Sequence, residues 1–142
     1  MKLLLMSCLF LLSTYGLSIE QMGKKTMKIK ISNQTQELIL ELEMNSTSKS
    51  LIEQLPLSIE IKDYASIEKI FYPPKKLSLK GAPNGYTPKK GDITYYSPWG
   101  DVAMFYKDFS HSDGLIYMGR IVSGSVDLDE LKSGTYLISL LH

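Results

Sequence analysis

Residues 91–106 read GDITYYSPWGDVAMFY, two runs rich in β-branched and aromatic residues, 91–96 and 101–106, on either side of Ser97-Pro98-Trp99-Gly100. Pro98 fixes its own φ and gives up an N–H, and Gly100 tolerates backbone conformations that a side chain resists, so the four residues between the runs predict a turn. Two strands joined in this way decide the class of the fold, and the rest of the chain repeats the pattern. Upstream, 27–32 (MKIKIS) and 37–43 (ELILELE) alternate apolar and polar at period two around Asn33-Gln34-Thr35-Gln36, which predicts a β-hairpin. Residues 57–61 (LSIEI), 115–122 (LIYMGRIV) and 135–141 (TYLISLL) read as further strands. Helix is scarce. A stretch opening at Ser46, capped by Asn45 or Ser46, places Leu51, Ile52 and Leu55 on one face and stops at Pro56. Residues 126–131 have the length of a second short helix, and Pro73, Pro74, Pro83 and Pro88 leave room for none in the middle third. Many short strands between turns predict a mainly β protein, an antiparallel barrel or sandwich.

Composition narrows the class of function. The 142 residues carry 16 Lys+Arg against 15 Asp+Glu, a formal charge of +1, so no summed field draws the chain to nucleic acid. A single Cys excludes an internal disulfide or a multi-Cys metal site. Lys2 followed by the apolar run 3–12 and the small or polar Ser13, Thr14, Gly16 and Ser18 predicts a secretory signal peptide over 1–18. The run is about half of the ~20 apolar residues that span a bilayer, and Cys8 lies inside it rather than closing it, which argues against a membrane anchor and against lipidation. Cleavage would leave a leader, 19–26, and one domain, 27–142, neutral in charge, periplasmic or extracellular and free of the membrane.

The catalytic inventory is thin. The chain has two His, one of them the terminal His142, and His111-Ser112-Asp113 are sequence neighbours that cannot converge as nucleophile, base and orienter. Gly81-Ala82-Pro83-Asn84-Gly85 lacks the lysine and the helix start of a phosphate cradle. Neither a cofactor nor a metal is expected. The unusual feature is the aromatic density of Tyr95, Tyr96, Trp99, Phe105, Tyr106 and Phe109. On alternating strands about half of such rings face the core, whereas Trp99, in its turn, belongs at a rim.

Residues 63–124 contain, in order, the motifs DYA..EKI, GAP.G, GDI.YY.PWG, FY.DF and GLI..G.I. With the 27–32 strand, this run resembles the small bacterial cyclophilin-like domain family of unknown function. The resemblance implies a closed antiparallel β-barrel of about eight strands with one or two short helices. It does not by itself imply prolyl isomerase activity. Cyclophilins set an Arg guanidinium against the twisting proline amide, and the one Arg here, Arg120, matches a strand position rather than the catalytic one. Where cyclophilins carry a Gln and, two residues on, a pocket Phe, this chain offers Ala103 and Phe105, so only the aromatic carries over.

Two functions follow as expectations. The first is a non-enzymatic module that binds a peptide or small molecule on the barrel face around Tyr95, Trp99 and Phe105, with Glu68 and Lys69 as polar positions at its edge. A plainer reading makes Glu68 and Lys69 a solvated surface pair. The alternative function is a peptidyl-prolyl isomerase that works with Phe105 and no Arg.

Overall fold

The computed structural model describes residues 25–142. The expected signal peptide, 1–18, and all but the last two residues of the expected leader, 19–26, lie outside them. Strands β1 (Thr26–Ser32) and β2 (Glu37–Glu43) form the N-terminal hairpin, paired from Thr26↔Glu43 to Ser32↔Glu37. Asn33 holds the turn, its side-chain oxygen accepting from the N–H groups of Thr35 and Gln36 at 2.9 and 2.8 Å. Helix α1 (Ser46–Ile52) is capped by Asn45, whose side chain accepts from the Ser48 N–H at 2.9 Å. It stops short of the stretch that Pro56 was expected to end. The N–H groups of Gln54 and Leu55 bond to the carbonyls of Leu51 and Ile52, three residues back, and a residue preceding proline is kept out of the α region.

Strand β3 (Leu57–Tyr64) runs three residues past its expected end and turns through Ala65-Ser66 into β4 (Glu68–Phe71). The closing pair is Tyr64↔Glu68, so three residues, 65–67, make the connection; Ala65 and Ser66 both have φ of 54°, in the left-handed region, and the Ile67 N–H bonds back to the Tyr64 carbonyl at 3.1 Å. The period-two reading gave no strand at β4. Lys69, Ile70 and Phe71 are buried in succession, so no alternation marks the segment. Two-residue strands β5 (Gly85–Tyr86) and β8 (Ser112–Asp113) pair with each other outside the main sheet. The remaining strands are β6 (Asp92–Tyr96), β7 (Asp101–Phe105), β9 (Leu115–Gly124) and β10 (Gly134–Leu140). In place of the expected helix over 126–131 there is one 3-10 turn, Leu128–Glu130.

Eight strands close into an antiparallel barrel in the order β1-β10-β3-β4-β7-β6-β9-β2, with β2 returning to β1. The choice between barrel and sandwich is thereby settled by closure. Inward-facing residues, among them Ile29, Ile31, Leu40, Leu42, Ile61, Phe71, Ile93, Tyr95, Val102, Met104, Met118 and Ile138, fill the barrel. A second, smaller cluster of Ile70, Ala103, Phe105 and Leu115 comes from the opposite parity of the same strands and lies on the outer face, backed by Ile67, Tyr86 and Tyr96. Closure leans on close approaches at two glycines of β9, Gly119 and Gly124, of which Gly119 is the tighter. A Cβ on Gly119 would lie 2.1 Å from the carbonyl oxygen of Glu41 across the β2–β9 seam, so only glycine fits.

Candidate functional site

The outer cluster is the floor of a pocket of about 280 Å³. Alternation on β7 sends Ala103 and Phe105 outward while Val102 and Met104 fill the barrel, and β4 and β9 add Glu68 and Leu115. Tyr64 at the end of β3 and Tyr96 at the end of β6 rise beside Trp99. Phe109 and Ser112 close the remaining side.

The turn between β6 and β7 sets the indole. The N–H groups of Trp99 and Gly100 both bond to the carbonyl of Tyr96, at 3.2 and 2.8 Å, and Gly100 takes φ of 75° to lead the chain into β7. Trp99 is thus held with 51% of its surface exposed. Tyr64 and Tyr96 meet it edge to face, with centroids 5.4 and 5.5 Å away. Phe105 and Phe109 stack with centroids 6.4 Å apart and planes 21° from parallel. Edge-to-face and stacked rings of this kind fix one another, so the walls of the pocket are stiff before anything enters it.

Two carboxyls belong to this face, one of them, Glu68, in the pocket lining. Glu68 is partly buried, and burial first, then the negative charges of Asp101 and Asp63, push its carboxyl up to about 7. Asp101 opens β7 on the same parity as Ala103 and Phe105; it is 1% exposed and neither carboxyl oxygen has a hydrogen-bond partner. Burial pushes it up to about 6. Among the described residues no Lys, Arg or His lines the pocket. Among the described residues no three His, Cys, Asp or Glu side chains converge where a metal would sit.

Of the residues singled out from the sequence, Glu68, Trp99 and Phe105 meet at this pocket. Tyr95 does not. It faces into the barrel, 1% exposed, where its hydroxyl accepts from the Leu77 N–H at 3.2 Å and ties down the loop after β4. Its neighbour Tyr96 holds the position expected of it. Apolar Ile93 and Tyr95 share one parity, and Asp92, Thr94 and Tyr96 the other, which is the signal that separates them. Lys69 also leaves the site. It is 6% exposed, pairs with Asp63 Oδ1 at 3.2 Å and sits over the Tyr106 ring, so the solvated pair with Glu68 does not exist. Tyr106 donates to the same Asp63 oxygen at 2.6 Å, which together with Lys69 holds the Asp63 carboxyl below its ordinary value. Tyr64 and Leu115 came without warning, because only register brings β3 and β9 to this face. Arg120 is exposed on β9, opposite Asp92 and Glu41, and does not line the pocket.

Comparison with known proteins gives two findings. The family model described as Cyclophilin-like family matches residues 29–140. A hypothetical protein from Archaeoglobus fulgidus, known from a solution structure, superposes with a TM-score of 0.61 at 17% identity, over 80% of this chain and 94% of that one. At that identity the likeness speaks to the fold. Among curated proteins no significant match is found.

Proposed function

This chain belongs to the Cyclophilin-like family, and on that footing we propose that it is an exported binding module, without catalysis of its own, that takes a small molecule or peptide group in the pocket around Trp99 and Phe105. The observation that carries the reading is a concave, ring-walled space floored by a hydrophobic cluster on the outside of an already filled barrel. A barrel does not need that second cluster for its own core, and preformed apolar pockets with few polar groups are where small ligands bind. Export rests on the apolar run 3–12 and the small residues after it.

Two further facts favour binding over isomerisation. The chain's one guanidinium, on Arg120, lies off the pocket, and the one carboxyl among the lining residues, Glu68, would when ionised repel rather than stabilise electron density building on a proline amide. A protease-coupled assay on X-Pro peptides tests this directly. The expected rate equals that of solvent, with Trp99 fluorescence responding to ligands all the same. Catalysis abolished by Phe105→Ala would replace the binding reading with the enzymatic one.

A further inference from the structure

We propose that the occupant of this pocket is a small organic cation, an ammonium head on a short apolar stem, with Glu68 as its counter-ion and the rings of Tyr64, Tyr96 and Trp99 as its walls. The inference rests on the reading of the pocket as the binding site and names the chemistry of what enters it.

Charge complementarity points there. Among the described residues Glu68 is the one carboxyl on the wall, and the nearest cation in sequence, Lys69, is turned to the inner face and consumed by Asp63. Asp101, buried and without a hydrogen-bond partner, begins β7 directly after the Trp99-Gly100 turn, and its charge reaches Glu68. Among the described residues no cation lines the pocket to answer that charge; Lys62, on the same parity of β3 as Tyr64, stands outside the lining. The rings add to the negative potential, because the face of an indole or phenol attracts a cation and the attraction strengthens where water is excluded. Size limits the occupant: about 280 Å³ accepts a head group and a short stem, at the low end of ligand pockets. A lysine side chain on a peptide offers similar chemistry, and the experiment separates the two sources.

Glu68 also gives the site a pH dependence. Around it stand Tyr64 on β3, Phe105 and Asp101 on β7, and Asp63 beyond them; Lys62, diagonal to it on the same parity of β3, lies outside the pocket, and among the described residues no cation lines it. The carboxyl holds its proton to about pH 7, so a cation must displace that proton to bind. Affinity then rises as the pH passes upward through neutrality.

The test uses the full domain and three probes, followed by the fluorescence of Trp99, the sole tryptophan. The probes are choline, its uncharged isostere 3,3-dimethylbutan-1-ol, and the tripeptide Gly-Lys-Gly. Choline is expected to bind about tenfold more tightly than the alcohol at pH 8, to lose most of that advantage at pH 5.5, and to lose it at both pH values in Glu68→Gln. The tripeptide is expected to bind more weakly than choline; the reverse order overturns the assignment to a free molecule. Equal affinity for choline and the alcohol, or a choline preference unchanged in Glu68→Gln, overturns the cation while leaving the pocket as a binding site. Silence from all three probes overturns the pocket reading along with it.

Discussion

Glu68 and Lys69 are adjacent on β4, yet they stand on opposite faces of one wall and answer to different demands. Lys69 points inward and is satisfied: Asp63 takes its charge at 3.2 Å and the Tyr106 ring covers its ammonium. Glu68 points outward among rings, with Asp101 as an unpartnered neighbour on the same parity. A fold loses stability by leaving acids buried or half-buried without partners, whereas it loses little by placing a lysine where a carboxylate waits. The inner arrangement is what structure requires, and the outer one is what structure alone would discard. That contrast is the physical argument that the outer face serves a ligand.

The comparison breaks most visibly if the inner face proves dispensable. Phe71→Ala removes a ring that is 1% exposed inside the barrel and should cost about 3–5 kcal/mol in urea denaturation. The outer acids should appear next, as a slope with pH. The folded state holds a proton on Glu68 to about 7 and on Asp101 to about 6, against ordinary values of 4.5 and 3.8, so between those limits it keeps protons that the unfolded chain has released. Stability should therefore fall as the pH rises from about 5 to 8, by on the order of 2 kcal/mol for Glu68, and Glu68→Gln should flatten its share. A stability rising over that range would mean that the acids are paired after all. The β3–β4 turn sharpens the register that sets the two faces. Replacing Ala65-Ser66, both at φ 54°, with Asn-Gly should add about 1 kcal/mol without moving any side chain of the pocket. The smallest effect on stability belongs to Trp99→Ala, about 0.5 kcal/mol for a half-exposed ring, although calorimetry should show choline binding lost. If that variant lost as much stability as Phe71→Ala, the indole would be part of the core and the distinction between the faces would collapse.

What could be read from the sequence follows from what periodicity can express. The hairpin 27–43 carried clean alternation, and the strands flanking the Trp99 turn were marked by β-branched and aromatic residues on either side of Pro98 and Gly100; both formed as expected. β4 is buried on both faces and so has no alternation to read. The expected helix over 126–131 shrank to one 3-10 turn. Trp99 and Phe105, which line the pocket, are marked in the sequence by a turn and by the motif FY.DF, and Glu68 by DYA..EKI. Tyr95 was misplaced by one position, which on a strand means the opposite face. Tyr64 and Leu115 enter the pocket through strand order, a property of the closed sheet that no local window contains.

Gly119 gives that closure a further meaning. A ring of eight strands offers no free rim to a second molecule, and this ring shuts where missing side chains at Gly119 and Gly124 let β2 and β9 touch, most closely at Gly119. Any larger residue there would prise the seam and expose two unpaired strand borders, the kind of template on which identical chains stack into fibrils. The glycine thus guards solubility as much as shape.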